Sequence, residues 1–166
     1  MKENLDVKKN DDFVNEHEGK NGGWVYVHSK VDKALTEFND SWEVAKDKAN
    51  LGCAVHVMPI VNDQLPLYPQ LFAGAKDRKC PDLKIDGQFV AIKRPTEPLT
   101  CNKISKCIGN AHSQSNYAII LLPTKYPTHK LYSIVKGRFK THNDLEVVEF
   151  KNWDKYIVYS RSDFFP

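Results

Sequence analysis

The sharpest alternation in the chain runs over residues 80–93. Leu83 and Ile85 alternate with Asp82 and Lys84, and Val90 and Ile92 alternate with Phe89, Ala91 and Lys93, the period-two pattern of strands with one buried face. Asp86-Gly87 separates the two runs, the strongest short signal for a hairpin with a two-residue type I′ turn. With those two residues as the loop, Ile85 faces Gln88, Leu83 faces Val90, Asp82 faces Ala91 and Cys80 faces Lys93. Leu83, Ile85, Val90 and Ile92 then form an apolar core face. Asp82, Lys84, Phe89, Ala91 and Lys93 share the opposite one.

The rest of the pattern is less sharp. Gly22-Gly23 precedes a strand at Trp24–His28, and Leu35, Phe38, Trp42, Ala45 and Ala49 recur at helical spacing over 32–50, with Gly52 as the stop. A strand is expected over 54–60, then a long loop over 61–79 holding Pro66, Pro69 and Gly74. Thr100 or Asn102 caps a helix to about Ser115, with Ile104, Cys107, Ile108 and Ala111 as its stripe. Residues 117–122 read as a buried central strand, and 145–150 with 156–159 as an antiparallel pair. The charge-dense residues 1–20 are expected to be a flexible lead-in or linker, and 21–166 one domain of the α/β (α+β) class.

Composition narrows the classes of function. The chain has 166 residues, is 41% hydrophobic and has a net charge of +3, compatible with nucleic acid without pointing to it. No apolar run reaches membrane-span length. The opening Met1-Lys2-Glu3-Asn4 is unlike a signal peptide, so any export is expected through another route or a larger parent protein. The four cysteines form no CxxC pair and show no zinc spacing, and the six histidines are scattered.

The order helix, strand, hairpin, helix, strand over 32–122 resembles the αβββαβ core of the PD-(D/E)xK nuclease superfamily. Pro81-Asp82 matches the PD element, and Ala91-Ile92-Lys93 matches (D/E)xK except at its first position. A closer resemblance is to the C-terminal toxin domains of contact-dependent inhibition proteins and related polymorphic toxins. It covers Gly22-Gly23 and the following strand, Ala45 to Gly52, Val55 to Pro59, Pro81 to Pro95, and Ile104 to Leu122.

The resemblance implies a restriction-endonuclease-like mixed sheet flanked by helices, with extra N- and C-terminal strands. It implies a nuclease toxin domain that cleaves phosphodiester bonds, with tRNA or other RNA slightly favoured over DNA. A divalent cation (Mg or Mn) would be held by Asp82, the residue at 91 and Glu43, and would activate water at the scissile phosphate. Lys93 would contact that phosphate, Gln114 would position substrate, and Lys76, Arg78, Lys79, Arg94, Lys103 and Lys106 would meet the backbone phosphates. The implied partners are a nucleic acid and a cognate immunity protein, with no membrane span and a monomeric chain. The implied location is that of part of a larger bacterial toxin acting in the target-cell cytoplasm.

Ala91 leaves the metal site short of one carboxylate, so this copy is expected to be inactive and to hold the cation weakly or not at all. Because Asp82, Lys93, Glu43 and Gln114 are retained, a disabling substitution fits better than decay into a pseudoenzyme. Each role has an ordinary alternative. Glu43 can pair with Lys46 on the helix surface, Gln114 can pack at a helix end, Lys93 can pair with Asp82, Phe89 can pack under a loop, and the 76–79 lysines and arginine can be plain solvated charge. Two other functions remain open: a metal-independent ribonuclease of barnase–EndoU–colicin–RelE-like fold, and a non-catalytic nucleic-acid or protein interaction module.

Overall fold

A computed structural model describes residues 12–166 of the chain. The chain divides into two compact units, Met1–Phe89 and Val90–Pro166, the division falling within one strand. Helices and mixed strand pairing make the fold α+β.

The first unit holds β1 (Phe13–Glu18), β2 (Trp24–His28), α1 (Thr36–Asn50), β3 (Ala54–Val57), α2 (Leu67–Phe72) and β4 (Leu83–Ile85). Its strands lie in chain order. β1 and β2 are antiparallel, β2 and β3 parallel, and β3 and β4 antiparallel. The registers Val25↔Val55↔Ile85 and Val27↔Val57↔Leu83 put six apolar side chains on one face, all buried. Within the expected lead-in, residues 13–18 form an edge strand; the rest of that expectation, residues 1–11, lies outside the described residues.

Helix α1 packs on β2 and β3, with Ala45 and Ala49 of the expected stripe buried but Leu35, Phe38 and Trp42 not. Its buried row is Ser41, Val44, Ala45, Lys48 and Ala49, and Leu35 is an exposed N-cap. A Cβ on Gly19 or Gly23 would lie 2.0 or 2.1 Å from the Ala49 carbonyl oxygen, so the β1–β2 connection runs hard against the end of α1 and needs glycine at both positions. Trp42 turns to the edge, where it stacks on Phe38 at 6.0 Å and carries Lys46 over its ring at 5.4 Å.

The expected loop over 61–79 contains α2. Pro66 and Pro69 lie at its N-cap and first turn, where a missing N–H costs nothing, and Phe72 is its buried anchor. Phe89 packs on Phe72 at 5.9 Å, its ordinary reading. Asp86 and Gly87 both have positive φ, 46° and 87°, as the type I′ turn requires. The Asp86 N–H donates to the Ala54 carbonyl at 2.9 Å, and Ala54 N–H donates to the Asp86 carboxylate at 2.8 Å, fixing the turn on β3.

The second unit takes in most of β5 (Gln88–Lys93), then α3 (Cys101–His112), β6 (Tyr117–Leu122), α4 (Thr128–Thr141), β7 (Val147–Asn152), β8 (Lys155–Ser160) and the short α5 (Arg161–Phe164). β5, β6 and β7 are parallel, and β8 closes antiparallel on β7. The Thr100 hydroxyl caps α3 by accepting from Lys103 N–H at 3.2 Å. The sequence pattern assigns no element between 122 and 145, yet α4 lies there, with Leu131, Val135 and Phe139 as its fully buried row. With Ile104, Ile108, Ile120, Leu145 and Phe150 they build one apolar core.

Candidate functional site

Asp82 sits immediately before β4, its backbone carbonyl accepting from Met58 N–H at 3.0 Å. That bond joins the start of β4 to the end of β3 and leaves the half-buried side chain at the strand ends. There it lines a cleft with Phe38 and Ser41 of α1, with Met58 and Ile60, and with the carboxylates of Asp32 and Glu37. Glu43 is outside this cleft, half-buried two turns along α1. The acidic residue of α1 that shares the cleft is therefore Glu37. The sequence reading passed over it, although Glu37 and Ser41 stand one turn apart on the same helix face.

The second unit holds the other expected residues. β5 pairs Ala91 with Ala118 and Lys93 with Ile120. The sequence places Ala91 on an open site face; the structure does not. Ala91 is 0% exposed and belongs to the apolar cluster of Ile104, Ile108, Ala118 and Ile120. Val90 and Ile92 are buried as well, so β5 is covered on both faces. Lys93 is half-buried near the end of the strand. Its charge and that of Lys106 act on the Cys107 thiol, but burial dominates and pushes that thiol up.

Gln114 lies past the end of α3, its N–H donating to the Ala111 carbonyl at 2.9 Å. It precedes the amino-terminal end of β6, while Lys93 is at the carboxyl-terminal end of the parallel β5. The length of α3, about 18 Å for its 12 residues, separates the two ends. Gln114 therefore lies just past the C-cap Ser113, at the end opposite Lys93.

The basic residues fall into two groups. In the first unit, Lys76 is half-buried, Arg78 and Lys79 are exposed, and Tyr68 pins their loop by donating to the Lys79 carbonyl at 2.7 Å. Arg78 lies 3.6 Å from Asp63. In the second unit, Arg94 and Lys106 are exposed, whereas Lys103 donates to the carbonyls of Thr96 and Pro98 and so braces the loop into α3.

The fit of a divalent cation can be judged from these placements. Ala91 offers no donor atom and is sealed in the core. Glu43 is outside the Asp82 cleft, and among the described residues no three His, Cys, Asp or Glu side chains converge as a metal site. The residues present do not fit the cation. The four cysteines carry no disulfide. Among the described residues no helix is long and apolar enough to cross a membrane.

One further polar cluster escaped the sequence reading: Ser105, His112, Arg138, His142 and Asp144 meet on the outer side of α3 and α4. Its members are 39 residues apart at most, and no local motif announces them. No family model, curated protein or solved structure matches this chain.

Proposed function

We propose that the chain is a nuclease toxin domain with a PD-(D/E)xK-like core, disabled at position 91. One observation carries the reading: the run α1, β3, β4, β5, α3, β6, with β3 antiparallel to β4 and β5 parallel to β6, has Asp82 at the entry to β4 and Lys93 near the end of β5. These are the positions at which such a core presents its carboxylate and its lysine. With a carboxylate at position 91, a cation would supply water activation and charge neutralisation at the phosphate. On this reading the chain retains the electrostatic part alone, Lys93, which would contact the phosphate. The natural partners on this reading are RNA, with tRNA favoured over DNA, and a cognate immunity protein. The chain would be a monomer delivered as part of a larger bacterial toxin into the target-cell cytoplasm.

The test restores the carboxylate. Ala91→Glu and the shorter Ala91→Asp are assayed on tRNA and plasmid DNA with Mg²⁺, with Mn²⁺ and with EDTA. The expected result is cleavage that requires the ion and is absent from the unsubstituted chain. If both variants fold but neither cuts either polymer above background, the reading fails. If the unsubstituted chain cuts RNA in EDTA, the metal-independent alternative replaces it.

A further inference from the structure

Helices α3 and α4 share an unusual charge pattern. They carry five lysines and one arginine, and neither contains an aspartate or glutamate. The groove between them is lined by Asn102 and Ser105 of α3 and by Ser133, Gly137, Arg138 and Thr141 of α4. It is a basic surface whose lining also carries the Asn102 amide and the Ser105 hydroxyl.

Arg138 is held there in a fixed pose. Its Nε donates to Ser105 Oγ at 2.8 Å, and its Nη1 meets His142 Nε2 at 3.3 Å. Its guanidinium lies flat against Gly109: a Cβ built on that glycine would be 3.3, 3.4 and 3.5 Å from Nη1, Cζ and Nη2. Any larger residue at 109 would crowd the guanidinium, so the glycine acts as its platform. His142 is itself seated against His112 at 4.3 Å, and His112 bonds Asp144 at 2.7 Å.

The arrangement leaves the guanidinium charge without a carboxylate. Arg138 makes no ion pair among the described residues, and its Nη2 bonds no protein group there. Ser105 Oγ accepts from Arg138, so its own proton is directed elsewhere. The Asn102 amide is exposed and also lines the groove. An arginine held rigid without a carboxylate has already lost the rotamer freedom that a flexible one gives up on binding. Its open edge matches an oxyanion with oxygens on one side, which is the chemistry of a phosphate.

We propose that the α3–α4 groove binds a backbone phosphate of a nucleic acid through Arg138 Nη2, Ser105 Oγ and Asn102 Nδ2. The exposed Lys106, Lys130, Lys136 and Lys140 on the same two helices supply the long-range attraction for the adjacent phosphates. The choice of polymer rests on the nuclease reading; the phosphate site does not. Because Ala91 lies in the core and not in this groove, binding is measurable on the unsubstituted chain.

The test is fluorescence anisotropy of a labelled RNA oligonucleotide titrated with the full chain over a series of salt concentrations. Inorganic phosphate serves as competitor, and vesicles containing anionic phospholipid form a separate arm. Arg138→Gln is expected to weaken RNA binding about tenfold and to lower the salt slope by about one. Asn102→Asp removes one donor and adds a negative charge without touching the Arg138 contacts, and should weaken binding by at least as much. That second variant decides the matter if loss of Arg138 loosens the helix pair. RNA affinity unchanged by Asn102→Asp overturns the proposal, as does binding to vesicles in place of RNA. Failure of the groove leaves cation-dependent cleavage by the position-91 variants untouched, and failure of that cleavage leaves the groove standing.

Discussion

The two units both contain a strand–helix–strand crossover, β2-α1-β3 in the first and β5-α3-β6 in the second, yet they use their buried space in opposite ways. The first packs a helix of small residues tightly over six aliphatic side chains, and it buries His28 to 2% exposure. Its cleft is lined by three carboxylates, Asp32, Glu37 and Asp82. The second fills its core with large side chains, among them Phe139, Phe150, Ile104, Ile108 and Leu131, and covers it with two helices free of acidic residues. The cleft of the first unit thus gathers three carboxylates, and the groove of the second gathers a guanidinium with hydroxyl and amide groups. The contrast also separates the two hairpin positions. Asp82 borders an open cleft, whereas position 91 has been absorbed into an apolar core.

The largest effect that can break this contrast lies in the second core. Phe139→Ala should cost about 3–5 kcal/mol, because the cavity is enclosed by residues that are themselves fully buried. The equivalent truncation in the first unit, Val44→Ala, removes less and should cost about 2 kcal/mol. Denaturant unfolding measures both, and equal losses would contradict the contrast.

Acid should act more strongly on the strands of the first unit. His28 Nδ1 accepts from Lys30 N–H at 3.1 Å, so in the neutral ring the proton is on Nε2, which is buried without an acceptor among the described residues. Phe13 stands edge-on to the ring at 4.9 Å. Burial lowers the His28 pKa below its ordinary 6.5, reinforced by Lys30 and partly offset by Asp12. Burial likewise lowers His56, with Lys84 adding to it. A histidine whose folded pKa is depressed binds protons first in the unfolded chain. Its neutral form therefore stabilises the fold fully above pH 6.5, and stability falls as the pH drops below that value towards the folded pKa. Amide hydrogen exchange in β2 and β3 should speed up from about pH 7 to about pH 5.5, after correction for intrinsic rates, more than in β6 and β7, where no histidine is buried. His28→Gln should flatten part of this dependence.

Much of this architecture is legible in the residues, and the misses have physical causes. The Asp86-Gly87 turn is readable because left-handed backbone at both positions favours that pair. The stripe of α3 is readable because its cap and its aliphatic spacing agree. The stripe of α1 is readable at Ala45 and Ala49, which are buried, but not at Trp42, which stacks on Phe38 at the edge while Ser41, Val44 and Lys48 go in. Helix α4 is hidden by Gly137 and four basic residues around a row of only three core positions. The burial of Ala91 could not be read from alternation, which identifies two faces of a strand but not whether a helix covers the second. Its one trace is that Ala91 and Ala118 are small residues paired in register.

Smaller effects refine the helix comparison. α3 has a side-chain cap and α1 has none, although Leu35 has the extended backbone of a cap residue. Thr100→Ala should lose about 1 kcal/mol, and Leu35→Ser should gain roughly 0.5 kcal/mol, both read from the midpoint of chemical unfolding. Arg78→Gln should change stability by less than about 0.5 kcal/mol, since its contact with Asp63 is 3.6 Å long and largely solvated. A larger change would mean that the 76–79 loop holds the first unit together.

The central proposal is that a carboxylate restored at position 91 brings back a cation dependence that also needs the Asp82 carboxylate. Titration calorimetry of Mn²⁺ into folded Ala91→Glu and Ala91→Asp tests it directly, with Asp82→Asn added to each as the partner variant. The account predicts one bound ion in each single variant, none in the unsubstituted chain, and loss of binding when Asp82 is replaced. Folded single variants that bind no Mn²⁺, or that bind it equally well without the Asp82 carboxylate, would contradict the account.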